Sequence, residues 1–262
     1  MNGLENKPIA LGAGRISTPA QRPVHFLIPA RQFRQDEPEL MDVPNQNPEI
    51  LRQDLRNLRT INRYFGGLGA VRNHVVKMFS KVDRTQPVQI LDLATGSADH
   101  PLALVNLARS LGRRIRITAI EQNPLTLAVA RERSSTHNEI TIEEGDILMM
   151  DSPPKSFDIV LCSLALHHFS RNDAVQILKT MTAVSRVGLI VNDLYRSWPA
   201  AWTAWMYTHL TTRNPMTLND SYVSVLRAFT PGELRGMALE AAIPHPQIFR
   251  HPVFRLVLVG EH

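Results

Sequence analysis

Apolar residues in the first part of the chain follow no period. Residues 1 to 44 interleave Pro8, Pro19, Pro23, Pro29, Pro38 and Pro44 with scattered charges, which predicts an extended or disordered leader. From Pro48 the pattern changes. Ile50, Leu51, Leu55, Leu58 and Ile61 recur at helical spacing as far as Asn62-Arg63-Tyr64-Phe65, where Gly66-Gly67 breaks the helix. A second helix is expected from Ala70 to about Lys81, so residues 45–85 read as a helical unit.

After the turn-forming Asp83-Arg84-Thr85-Gln86-Pro87, short β-rich runs alternate with helical segments. Such alternation marks a parallel sheet covered by helices. Strands are expected at Val88 to Leu93, Ile115 to Glu121, Ile140 to Glu144, Phe157 to Ser163 and Val187 to Asp193. Helices are expected near Pro101 to Leu111, Pro124 to Arg133 and Asn172 to Ser185. Beyond Asp193 the reading is an aromatic helix, a polar loop, a helix from Pro231 to Ala242, and a last apolar strand, Phe254 to Gly260, closing the sheet. This is an α/β domain over residues 86–262, with an insertion at about 195–230 that caps the substrate.

Composition narrows the function classes. Hydrophobic residues make up 44% of the 262, enough for a sizeable core, and no apolar run reaches the roughly 18 residues of a spanning helix. A soluble protein is expected, with peripheral membrane contact left open. The net charge is +5, but it is spread out, its densest piece being Arg113, Arg114 and Arg116, so a solvated basic surface is expected rather than a nucleic-acid partner. A single cysteine, Cys162, excludes an internal disulfide and a cysteine zinc site. With no secretory pattern at the N-terminus, the expected compartment is the cytoplasm, and no metal site is expected.

The chemistry-bearing residues begin at the first strand, Gln89-Ile90-Leu91-Asp92-Leu93, which ends on the turn Ala94-Thr95-Gly96-Ser97-Ala98-Asp99. Small residues there let the backbone approach a ligand, while three pyrophosphate-binding glycines are absent. Glu121, at the end of the second strand and followed by Gln122-Asn123-Pro124, is placed to accept both hydroxyls of a ribose.

The segment Asp92 to Asp99 resembles motif I of class I S-adenosylmethionine-dependent methyltransferases, especially the ubiquinone and menaquinone C-methyltransferases, with Ala94 and Ala98 in place of glycines of the general pattern. The resemblance implies a Rossmann-like, mostly parallel sheet of seven strands with helices on both faces, and S-adenosyl-L-methionine as cofactor. It implies that Ala94, Thr95, Gly96, Ser97 and Ala98 pass under the methionyl part, with Asp99 near its amino group. Glu144-Gly145-Asp146-Ile147 resembles the family's adenine-binding turn, so Asp146 is expected at the exocyclic amine and Ile147 over the ring.

The fourth strand runs through Ser163, a further cofactor contact by the resemblance, into His167-His168, where the quinone C-methyltransferases carry an Arg-Asn pair. Histidine takes a proton near neutral pH, so His167 and His168 are the candidate general bases. Asn62 to Gly67 and Gly188 to Ser197 are similar to methyltransferases that accompany type III polyketide synthases and act on phenolic lipids; that likeness runs from about Met41 to Gly260. It implies that the first helices form a lid and that Asp193 and Arg196 face the substrate cavity. Tyr64, Trp202 (near one helical face with Trp198, Trp205 and Tyr207) and Arg227, in the loop Asn219 to Phe229, are further candidates for binding an acceptor. The expected reaction is methyl transfer to a small aromatic acceptor of secondary metabolism, phenolic, quinol or polyketide-like, at oxygen. Competing readings are a non-catalytic cofactor-binding or assembly subunit and an RNA or protein methyltransferase; against RNA stands the absence of an Asn/Asp-Pro-Pro-aromatic tetrapeptide. The oligomeric state is left open.

Overall fold

The computed structural model describes residues 27–65 and 67–262. Residues 1–26 of the expected leader lie outside the described residues. In chain order the elements are α1 (Pro48–Tyr64), α2 (Gly67–Phe79), β1 (Val88–Leu93), α3 (Asp99–Ser110), β2 (Ile115–Glu121), α4 (Pro124–Ser134), β3 (Ile140–Glu144), β4 (Phe157–Ser163), α5 (Arg171–Val184), β5 (Ser185–Leu194), α6 (Trp198–Thr211), α7 (Pro215–Arg227), α8 (Pro231–Glu240), β6 (Gln247–His251) and β7 (Arg255–Glu261). Short 3-10 turns lie at Leu40–Asp42 and Leu166–His168.

The strands form one seven-stranded sheet in the order β3-β2-β1-β4-β5-β7-β6. The pairs from β3 to β5 are parallel, and β7 runs antiparallel to both of its neighbours. Strand pleating sorts the side chains to two faces. Leu91, Leu93, Val160, Cys162, Leu189 and Val191 pack against α5 and α8, while Ile90, Ile117, Ile159, Leu161 and Ile190 pack against α2 and α3. α2 therefore belongs to the sheet's core through Val71, Val75 and Met78, and only α1 of the expected helical lid lies over the cleft.

Three helices start by one local device. Asn47, Asn123 and Asn214 cap α1, α4 and α7, each side chain accepting from two backbone N–H groups, with proline in the first turn. α7 replaces the polar loop expected at Asn219 to Phe229, and β6 is a strand the sequence pattern did not indicate. Residues 27–43 pack onto the domain through named bonds. Arg31 donates to the carbonyls of Arg227, His167 and Phe169 and lies 3.9 Å over the Phe229 ring, and the amides of Leu40 and Met41 donate to Asp220.

Candidate active site

The parallel register of β1 and β2 sets their carboxyl ends side by side, pairing Leu93 with Ile120. The turn that follows β1 is left-handed at alternate residues: φ is 52° at Ala94, 59° at Gly96 and 60° at Ala98. Only glycine takes such an angle without strain; Ala94 and Ala98 bear it, and their small side chains keep the backbone of the turn close to the cleft. Thr95 ties it down, its amide donating to the Ile120 carbonyl at 2.9 Å and its hydroxyl to Asp92 at 2.7 Å. Asp92, expected from the resemblance as a cofactor contact, lies buried beneath the turn and does not line the cavity. Burial, with Glu121 and Asp99 nearby, pushes its carboxyl up to about 7.

Glu121 faces the same cleft. One oxygen accepts from the Gly96 amide and the other from the Asn123 amide, each at 2.9 Å. Burial raises its carboxyl above the usual range, against those backbone bonds. A Cβ built on Gly96 meets no atom within 4 Å, so the turn leaves an open cradle there. Ile147, Gly145, Gln122 and Ser163 line the cavity, and the Ser163 hydroxyl is buried with no partner. Asp146 does not line it. Its carboxylate accepts from the Leu148 amide at 2.9 Å, an ordinary use of Asp in a turn. Ala98 is fully buried under α3, and Asp99 lines the cavity with Arg133 at 2.5 Å and Arg59 at 3.8 Å.

A cavity of about 370 Å³ runs from this cradle to the paired histidines. The chain leaves β4 through Leu164, at φ 56°, and turns at Leu166–His168 so that both imidazoles reach the cavity. His167 Nδ1 is 2.6 Å from Asp193 Oδ1, and its amide donates to Oδ2 at 3.0 Å. His168 Nδ1 is 2.6 Å from Asp42. The rings lie 4.3 Å apart. Burial opposes charge on His168, but Glu39 and Asp42 outweigh it and hold the ring at about 10. Burial likewise opposes charge on Asp193, and His167 nonetheless holds its carboxyl below the usual range.

The remaining wall is acidic. Glu39, 1% exposed, accepts from the Ser224 hydroxyl at 2.6 Å through one oxygen, while the other has no hydrogen-bond partner among the described residues. Asp54 accepts from the Thr217 hydroxyl at 2.5 Å, and burial pushes it up to about 7. Asp220 lines the cavity beside them. Of the expected acceptor contacts, Asp193 enters the site through His167, and Arg227 lies buried with NH1 3.8 Å from Glu39. The other three stand elsewhere. Arg196 spends its donors on the Pro29 and Ala228 carbonyls and on Glu233, away from the cavity. Tyr64 is 73% exposed; its motif instead holds Arg255 of β7, which donates to Phe65 O at 3.1 Å and Asn62 Oδ1 at 3.0 Å. Trp202 is 61% exposed in a separate cleft between α6 and α7, with Trp198 and Trp205. Glu39, Asp42, Asp54 and Asp220 are site residues that the sequence reading missed.

The sheet order, the small-residue turn and the strand-end glutamate together define a class I methyltransferase fold. More particularly, residues 90–188 match the family described as "Methyltransferase domain". A demethylmenaquinone methyltransferase of Deinococcus radiodurans is 32% identical over 85 residues, 32% of this chain and 34% of that protein. The aligned part thus spans about a third of that relative. Among solved structures, the plantazolicin methyltransferase BpumL in complex with SAH superposes at TM-score 0.62 and 13% identity, over 85% of this chain and 92% of that one. An O-methyltransferase family 2 protein from Planctomyces limnophilus, in complex with apigenin, superposes at 0.56 and 15% identity, over 84% and 63%. At these identities the likeness is one of fold. Among the described residues, no helix is long and apolar enough to cross a membrane.

Proposed function

We propose that this protein transfers a methyl group from S-adenosyl-L-methionine to the oxygen of a small aromatic acceptor. The observation that carries the reading is the continuity of one cavity from the Gly96 and Glu121 cradle to the His167 and Asp193 pair. The donor set fits the cofactor: Glu121 has lone pairs left to accept from ribose hydroxyls, the Gly96 cradle is open, and Ile147 offers an apolar wall for a base. Asp99 offers a carboxylate to the amino group of the methionyl end. When bound, the cofactor supplies an activated methyl group on a sulfonium.

What the chain itself contributes is alignment and proton handling. Holding the reactants in line can supply up to about 7 to 11 kcal/mol of the barrier. A phenol near pKa 10 is a weak nucleophile until its proton is removed. Asp193, accepting from Nδ1–H of His167, fixes the tautomer whose Nε2 lone pair is free to take that proton. His168, held cationic by Glu39 and Asp42, serves to stabilise an oxyanion. α1 and the 27–43 segment cover the cavity as a lid that excludes water.

The test is incubation with methyl-labelled cofactor and a panel of alkylresorcinols, quinols and flavonoid-like phenols, followed by location of the label. Label on a phenolic oxygen supports the reading. Label only on carbon corrects the site of transfer, and label only on RNA or protein replaces the reading.

A further inference from the structure

We infer that Glu39, His167 and His168 form a binding site for a divalent transition-metal ion at the acceptor end of the cavity. One ligand atom from each of the three lies within 4.8 Å of the others. Nε2 of His167 is 3.9 Å from Glu39 Oε1, and Nε2 of His168 is 4.0 Å from Oε2. Ligands around a tetrahedral ion with bonds of about 2.0 to 2.1 Å stand about 3.4 Å apart, so a site whose ligand atoms lie up to 4.8 Å apart needs to close by as much as about 1.4 Å.

The surroundings of the two rings point to a ligand independently. Metal-bound imidazoles almost always give their other nitrogen to a carboxylate or carbonyl, which fixes the ring and raises its basicity. Both rings are held that way, His167 by Asp193 and His168 by Asp42, each at 2.6 Å. The third ligand is the stronger indication. Glu39 is 1% exposed, and its Oε1 has no hydrogen bond among the described residues, with Arg227 3.8 Å away. A buried carboxylate oxygen left unpartnered is costly, and an ion between it and the imidazoles removes that cost. Three carboxylates around two rings also give the pocket the charge a dication seeks.

Two imidazoles and one carboxylate suit zinc, iron(II), cobalt or nickel rather than calcium or magnesium. Three protein ligands leave a position open toward the cavity, where an anionic oxygen of the acceptor coordinates. The ion takes the place of the proton on His168, so with the ion present both imidazoles are committed to it, and coordination takes over from them the task of holding the acceptor as its anion. That consequence rests on the reading of the cavity as an acceptor site; the ion site itself rests on the three ligands.

The test uses tag-free, chelator-treated full-length protein titrated with Zn²⁺ by calorimetry and with Co²⁺ by visible absorption. One ion per chain is expected. Glu39→Gln and His168→Ala should each weaken it by about 100-fold or more, and Asp42→Asn, which disturbs only the ring's support, by about 10- to 100-fold. Failure of the wild-type protein to bind either ion overturns the proposal, as does binding that all three variants leave unchanged. His168 is 18% exposed and Asp42 more so, which keeps those variants informative if Glu39→Gln does not fold. S-adenosylhomocysteine binding, measured on the same metal-free protein, reports separately on the methyltransferase reading.

Discussion

Gly96 and Gly112 have nearly the same backbone conformation, φ 59° and 61°, and a Cβ added at either meets nothing within 4 Å. They differ in what the open space is. Gly96 lines the cavity in the turn after β1, whereas Gly112 ends α3 far from it. Gly96→Ala and Gly112→Ala should therefore cost similar folding stability, about 1 to 2 kcal/mol from the left-handed angle, which for a chain of this size lowers Tm by a few degrees. Only Gly96→Ala puts a methyl group into the cofactor's space. Overpacking of that kind costs about 1 to 3 kcal/mol, or about 5- to 150-fold in affinity. Thermal melts with and without S-adenosylhomocysteine separate the two effects, because a ligand stabilises by an amount set by its concentration over Kd. The expected result is a ligand-induced rise in Tm that Gly112→Ala keeps and that is smaller in Gly96→Ala by the equivalent of about 1 to 3 kcal/mol at saturating ligand. Equal rises in both variants would refute the placement of the cofactor against this turn.

Three further outcomes are expected. His167→Ala should lower turnover of the identified acceptor by about 10² to 10⁴ with cofactor affinity unchanged; full turnover in both His167→Ala and His168→Ala would remove the histidines from proton transfer. Asp54, held at about 7 against its usual 3.8, favours the fold below the unfolded value, and that stability is lost as pH rises through 7. The whole loss is of order 4 kcal/mol, of which about 2 to 3 kcal/mol falls between pH 5 and pH 8, so denaturant titrations at those two pH values should show a drop smaller by about that much for Asp54→Asn than for wild type, and equal drops would contradict the buried carboxyl. Asn214→Ala removes the cap of α7 and a 2.8 Å bond from its side-chain amide to the Ile50 carbonyl, and should cost about 1 to 2 kcal/mol in chemical denaturation; a cost near zero would mean that packing alone sets where α7 starts.

The turn after β1 and Glu121, the part of the cavity proposed to hold the cofactor, stood out in the sequence because their signals are local. Small residues at positive φ, an acid at a strand end and an Asn-Pro helix start each sit within a few residues of one another, and the parallel sheet does the rest. The part of the cavity proposed to take the acceptor is assembled from four distant pieces: the 3-10 turn at Leu40–Asp42, α1, the turn after β4, and α7. α7 read as a loop because the face it buries is polar, with Thr217, Asp220 and Ser224 pointing into the cavity where an amphipathic helix would show apolar residues. Its start signal, Asn214-Pro215, was nevertheless the one that begins α1 and α4. Glu39 and Asp42 stood in a proline-rich stretch without period, which gave no reason to assign them chemistry. β6 escaped notice as a short, half-exposed edge strand just after Pro244 and Pro246.

The central claim is that the carboxylate of Glu121 and the turn at Gly96 jointly hold the adenosyl cofactor. Calorimetric titration of S-adenosylhomocysteine into wild type and Glu121→Ala, both checked for folding by circular dichroism, addresses it directly. Loss of two charge-assisted ribose hydrogen bonds predicts one-to-one binding by wild type and affinity weaker by about 100-fold or more in the variant. Wild-type affinity in Glu121→Ala, or no binding to the wild-type protein, would contradict it.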